Sequence, residues 1–89
     1  MKEAYLEVTF RRGTALAAYL YLPRKASDRS YRTSKGEAGM VIDFGQGGNP
    51  IGIEITAPAN VTIADLNHVL VKLGLPPMQD SELAPLRAA

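Results

Sequence analysis

The stretch that decides the fold is Met40-Val41-Ile42-Asp43-Phe44-Gly45-Gln46-Gly47-Gly48-Asn49-Pro50-Ile51-Gly52-Ile53-Glu54-Ile55. It contains two runs in which every second residue is apolar, and four of the five residues from Gly45 to Asn49 are Gly or Asn. Strand side chains alternate between the two faces of a sheet, and tight hairpin turns need residues that tolerate positive φ. The pattern therefore predicts a β-hairpin with one apolar face directed at a core.

Two further strands are predicted before this hairpin. Apolar and polar residues alternate over residues 4–10, and after a turn at Gly13 a second run returns and ends at Pro23, which cannot donate to a sheet ladder. A short polar segment can add an edge strand before the hairpin. The predicted core side of the second strand carries Leu16, Ala18, Leu20 and Leu22. The predicted strands are residues 3–10, 15–22, 30–34, 39–44 and 51–56.

One helix is predicted after the last strand. Thr62 and Asp65 have the spacing of a capping box, and Gly74 followed by two prolines marks the end of a helix at about residues 63–73. Its apolar stripe is Ile63, Leu66, Val69, Leu70 and Leu73. We interpret the tail, residues 75–89, as either a loose end or a strap over a neighbouring subunit. The predicted fold class is α+β: a four- to five-stranded, mainly antiparallel meander with the helix packed on one face.

Length and composition indicate one small globular domain, residues 1–89. The 89 residues are 46% hydrophobic and 21% charged, which is ordinary for a folded protein with a modest core. The longest uninterrupted apolar run, residues 15–22, is far shorter than the roughly 20 residues needed to span a membrane. Early charges interrupt any signal-peptide pattern, so we expect a cytoplasmic protein without membrane association. The absence of cysteine excludes disulfides and thiolate metal sites.

Positive charge is concentrated in the first part of the chain. Residues 1–35 hold eight of the ten Lys and Arg residues but three of the nine Asp and Glu residues. Within the polar insert 23–39, basic residues surround Tyr31, a pattern that favours contacts to phosphates with one stacking aromatic ring. A charged loop that protects a sheet edge is the alternative interpretation. The candidate nucleic-acid contacts are Arg24, Lys25, Arg29, Arg32 and Lys35.

The sheet face opposite the predicted helix is less polar than a solvated face should be. Tyrosines have an apolar ring and a polar tip, which suits a surface covered by a partner, and we expect a homodimer. The alternative is that the rings cover only neighbouring strands. Gly52 lies within a strand, which indicates close approach of another group. We expect a helix to cross it, or a partner to contact it. The candidate homomeric interface is Tyr5, Tyr19, Tyr21 and Val41, and the same face is predicted to carry Asp43 and Glu54.

No pattern of catalytic residues is recognisable. His68 is the only histidine, and the absence of cysteine removes the usual partners of a metal-binding histidine, so we expect an exposed residue and no metal. Asp43 and Glu54 could form an acid/base pair, although solvation or pairing with the basic segment is the simpler interpretation. The glycines of residues 45–48 lack the lysine and the following helix of a phosphate loop. We therefore predict a protein that is not an enzyme and that has no cofactor.

Four segments of the chain carry a resemblance to a known family. They are Ala17-Ala18-Tyr19-Leu20-Tyr21-Leu22, Tyr31-Arg32-Thr33, Met40-Val41-Ile42-Asp43-Phe44 and Gly52-Ile53-Glu54-Ile55-Thr56-Ala57. Over residues 4–57 the chain resembles the small bacterial family called domain of unknown function 2283. The resemblance implies a β-rich intracellular domain without an assigned activity. Some members of that family lie beside small toxin-like proteins, which implies an antitoxin-like role in partner binding.

These observations lead to two functional hypotheses. The first is a non-catalytic protein-interaction module, with a second copy or a small protein as its partner. The alternative is nucleic-acid binding through residues 24–35.

Overall fold

The computed structural model describes residues 3–24 and 29–87, and within them five strands form a single antiparallel sheet. The strand order across the sheet is β1-β2-β5-β4-β3. An α+β fold with an antiparallel sheet is therefore confirmed. The strands are β1 (Tyr5–Arg11), β2 (Thr14–Tyr21), β3 (Arg32–Lys35), β4 (Met40–Phe44) and β5 (Pro50–Ile55).

The strand order differs from that of a simple meander. β3, β4 and β5 follow one another as hairpins, but β5 rather than β3 lies beside β2. This order gives the central position to β5, the most deeply buried strand, in which Ile51, Ile53 and Ile55 are almost completely buried. The chain between β2 and β3 crosses to the far edge of the sheet, so the polar strand β3 becomes an edge strand with all four residues exposed.

The main helix, α1 (Ile63–Lys72), has well-formed ends. At its start the Thr62 amide donates to the Asp65 carboxylate at 3.0 Å, and the Asp65 amide donates to the Thr62 hydroxyl at 3.0 Å. At its end Gly74 has a φ of +79°, and the Leu75 amide donates to the Leu70 carbonyl at 2.9 Å. The sequence signals at both ends of this helix thus act as expected.

The tail packs onto its own domain and is not a loose end. It forms a 3₁₀ turn (Asp80–Leu83) followed by a one-turn helix, α2 (Ala84–Arg87). Leu83 and Leu86 join the core cluster, with 0% and 3% of their surface exposed. The side chain of Asn67 holds the preceding segment through two hydrogen bonds to the Met78 backbone, at 2.8 and 3.0 Å. A strap over a neighbouring subunit is therefore excluded for these two leucines.

The first hairpin departs from simple alternation near its turn. The pairing of β1 with β2 shifts between Thr9 and Phe10, so that Phe10 pairs with Ala15 and Thr9 with Ala17. This leaves Leu16 as an extra residue, 51% exposed, although the sequence predicted it on the core side.

Among the described residues, no helix is long and apolar enough to cross a membrane.

Candidate interaction face

Among residues 3–24 and 29–87, no helix packs on one face of the sheet. The isoleucines of β5 and the buried residues of β4 point to α1, so the alternate residues of each strand point away from it. We call this surface the tyrosine face. Its members are Tyr5, Glu7, Tyr19, Tyr21, Thr33, Lys35, Val41, Asp43, Gly52 and Glu54.

Three tyrosines form a continuous strip on this face. The rings of Tyr5 and Tyr21 stack with centroids 4.6 Å apart and an angle of 15° between their planes. The ring of Tyr19 meets Tyr21 edge to face at 4.7 Å. The guanidinium of Arg24 lies 5.6 Å from the Tyr21 centroid, at one side of the strip. Tyr5 is 48% exposed, whereas Tyr19 and Tyr21 are half-buried, so the strip presents aromatic surface to the outside.

The side chain of Tyr19 on β2 extends across β5 to reach Asp43 on β4. Its hydroxyl donates a hydrogen bond of 2.6 Å to the Asp43 carboxylate on β4, and its ring passes over Gly52 on the intervening strand β5. A Cβ atom at position 52 would lie 1.9 Å from the Tyr19 hydroxyl oxygen. The close approach expected at Gly52 thus comes from a tyrosine ring, and the predicted helix crossing is wrong because α1 packs on the opposite face.

Burial and neighbouring negative charge raise the pKa of two tyrosines in this strip. Burial, followed by the hydrogen bond to Asp43, raises the pKa of Tyr19 well above its ordinary value. Burial and the nearby Glu7 carboxylate also raise the pKa of Tyr21. Both phenols therefore stay protonated at neutral pH and act as hydrogen-bond donors rather than as bases.

The carboxylates of the face have separate roles. Asp43 accepts from Tyr19, so the expected pairing of this residue with the basic segment is replaced by a contact within the sheet. Glu54 and Glu7 are exposed. Tyr19, rather than a second acid, thus holds Asp43.

The predicted basic contacts do not form a single surface. Arg24 lies beside the tyrosine strip, whereas Arg32 lies with its guanidinium 4.2 Å from the ring centroid of Phe44, whose ring packs against the core under α1. Lys35 is three residues from Arg32 on β3 and so points to the opposite face. Arg29 is exposed before β3, and Lys25 lies outside the described residues.

His68 is exposed as predicted, but its partner was not foreseen. Its Nδ1 lies 2.9 Å from the Glu37 carboxylate, and the Lys72 Nζ donates to the same carboxylate at 3.2 Å. The hydrogen bonds from Lys72 and then His68 lower the pKa of Glu37. Glu37 lies 31 positions before His68, so no local spacing could have indicated the contact. Within residues 3–24 and 29–87 no group of acidic and histidine side chains could hold a metal ion.

A groove lies beside the start of α1, on the other side of the molecule from the tyrosine strip. It has a volume of about 680 Å³ and is lined mainly by small and apolar residues, together with Thr62, Asn67 and Asp80. Thr62 is held in the helix cap, and Asn67 is bonded to the Met78 backbone. Both of these polar side chains are therefore already used by the fold.

Comparison of the chain with protein-family models, with curated proteins and with solved structures gave no match. The resemblance to the family of domain of unknown function 2283 stays a prediction.

Proposed function

We propose that this protein is a non-catalytic protein-interaction module that associates through its tyrosine face, first of all with a second copy of itself. The observation that carries the proposal is the strip of Tyr5, Tyr21 and Tyr19 on a sheet face without a covering helix. Tyrosine is enriched at protein interfaces because it buries a large ring and still satisfies its hydroxyl.

The strip is also organised in advance. The Tyr21 ring contacts the rings of both Tyr5 and Tyr19, and the Tyr19 hydroxyl is held by its hydrogen bond to Asp43. Side chains that are already held lose little conformational entropy when a partner covers them, which favours association. In a two-fold dimer the same patch is buried on both copies, so a single substitution acts twice.

The test is sedimentation velocity over a range of about 5 to 200 µM protein, with a matched pair of variants. Tyr5→Lys adds a charge to the most exposed ring of the strip, and we expect it to weaken association about tenfold or more, since a buried unpaired charge is strongly unfavourable. Val71→Lys is the control, because Val71 is 56% exposed and lies on α1, which packs on the opposite face of the sheet. It should leave the association unchanged.

Monomer at every concentration would overturn the proposal. Equal effects of the two variants would also contradict it, because they would remove the special role of the strip.

A more specific form of the same proposal is that the partner is a small protein other than this chain. The resemblance to a family with suspected antitoxins supports it, as do the exposed carboxylates Glu7 and Glu54 beside aromatic rings, which suit a basic partner. We also propose a cytoplasmic location, which cell fractionation would test. If the partner uses the same face, Tyr5→Lys should weaken its capture as well as self-association.

Nucleic-acid binding is the second candidate. Tyr31 is 69% exposed and lies in the sequence between two exposed arginines, Arg29 and Arg32, which favours contacts to a nucleic acid. Binding of a fluorescent single-stranded oligonucleotide should fall steeply between 50 and 200 mM salt and should be lost in Tyr31→Ala. No binding at 50 mM salt would exclude this function.

A further inference from the structure

We propose, building on the association described above, that the two copies pack face to face about a two-fold axis parallel to the strands and centred over β5. In this arrangement Glu7 of each copy lies opposite Lys35 of the partner subunit. The inference names the orientation of the dimer, which the proposed function alone leaves open.

The register of the sheet defines the rows of side chains that would meet. Glu7 pairs with Tyr19, Tyr19 with Glu54, Glu54 with Val41, and Val41 with Lys35. These five residues therefore form one of the two rows of the tyrosine face, running from one edge strand to the other. The row begins with a carboxylate on β1, ends with an ammonium on β3, and has Glu54 at its centre.

Charge decides between the two ways in which aligned sheets can stack. An axis perpendicular to the strands would lay each strand on its own copy, so that Glu7 would meet Glu7 and Lys35 would meet Lys35. An axis parallel to the strands over β5 exchanges β1 with β3 and keeps every residue in its row. Opposite charges then meet at both edges, so this orientation is favoured.

Glu7 and Lys35 can come into contact between two copies of the chain but not within one copy, because the distances differ. Stacked sheets lie about 10 Å apart, and the extended side chains of Glu and Lys together span that gap. Within one chain, β1 and β3 are separated by four strand spacings, about 19 Å in total. Any energetic coupling between Glu7 and Lys35 must therefore act between subunits.

The axis brings one pair of like charges together. Glu54 is exposed at the centre of the row and would face Glu54 of the partner subunit. Replacing it by the isosteric neutral amide in Glu54→Gln should strengthen the dimer severalfold, because like charges facing each other are destabilising.

The experiment exchanges charges between two variants. Glu7→Lys carries lysine at both edges of the row, and Lys35→Glu carries glutamate at both. Each alone should dimerise about tenfold more weakly than the unchanged chain, since two attractive pairs become repulsive. Mixed together, they should form a heterodimer of nearly the original affinity, because both edges are complementary again. We would follow Glu7→Lys with a fluorophore on its amino terminus by fluorescence-detected sedimentation at 50 mM salt, with unlabelled Lys35→Glu as titrant.

The outcomes separate this inference from the proposed function. If the unchanged chain dimerises but Glu7→Lys alone dimerises equally well, the orientation is wrong while association through the face stands, because an axis perpendicular to the strands already places like charges opposite each other at both edges. A mixed dimer that is clearly tighter than the dimer of the unchanged chain would contradict the orientation for the same reason. A weaker dimer in Glu54→Gln also contradicts the axis over β5, and this neutral change carries no risk of a charged side chain disturbing the fold. Monomeric behaviour of the unchanged chain overturns both. Both charge variants lie at exposed positions, and far-UV circular dichroism identifies a variant that fails to fold.

Discussion

Gly52→Ala is the substitution that most directly tests how the tyrosine face is built. The new Cβ would lie 1.9 Å from the Tyr19 hydroxyl oxygen and 2.3 Å from the ring carbon that bears it, so the ring must move away. The backbone at Gly52 does not have a positive φ, so alanine fits the strand itself. The effect therefore isolates the close approach of Tyr19 rather than backbone strain.

The expected magnitude follows from three contributions. Losing the hydrogen bond from Tyr19 to Asp43 costs about 1 kcal/mol, since both groups can reach water again. Exposing about 50 Å² of ring surface costs about 1.2 kcal/mol at 25 cal/mol per Å². Replacing a strand glycine by alanine returns about 0.5 to 1 kcal/mol. We expect the free energy of unfolding to fall by about 1 to 2 kcal/mol.

The assay is urea unfolding followed by circular dichroism, with a double-mutant cycle. In the Tyr19→Ala background no ring lies over position 52, so the same Gly52→Ala change should become neutral or stabilising by up to about 1 kcal/mol. The measurements need two protein concentrations, because association would add concentration-dependent stability. The reasoning is refuted if Gly52→Ala stabilises the unchanged chain, or if its cost is the same with and without Tyr19.

Three further predictions concern the helix, its ion pairs and the tail. Glu37→Gln should destabilise the protein at neutral pH but not at a pH below the lowered pKa of Glu37. Contacts from Lys72 and His68 lower this pKa, so the contribution of Glu37 is present above the ordinary pKa of a carboxyl and is lost as the pH falls through the lowered value. Thermal unfolding across pH would check it, and a pH-independent difference would contradict it. Thr62→Ala should cost about 1 kcal/mol by removing the capping box, while Thr62→Ser should retain most of the stability. Leu83→Ala should cost about 2 to 5 kcal/mol in urea unfolding because the side chain is fully buried, and a cost below 0.5 kcal/mol would mean that the tail does not belong to the core.

Local sequence signals predicted the elements of the fold and the ends of α1. The alternation around the glycine turn indicated the β4–β5 hairpin because only a strand has a period of two. The capping residues Thr62 and Asp65 act over three positions, so their interaction needs no tertiary information. The tyrosines were assigned to one face for the same reason, and they do share it.

Contacts between distant positions were beyond these signals. The ring of Tyr19 over Gly52, its hydrogen bond to Asp43 and the ion pairs of Glu37 join residues 24 or more positions apart. Leu16 was assigned to the core because a bulge changes the alternation without leaving a mark in the local pattern.

The sequence by itself determined which segments are strands and helix, and which side chains share a strand face, because these properties depend on neighbours a few positions apart. Only the tertiary structure decided that β5 lies between β2 and β4. That order buries the isoleucines of β5 at the centre of the sheet. Local sequence patterns do not distinguish this strand pairing from the others, because they carry no information on which strands become neighbours. It also brings Tyr19, Gly52 and Asp43 together and sets Glu7 and Lys35 at opposite edges of one row.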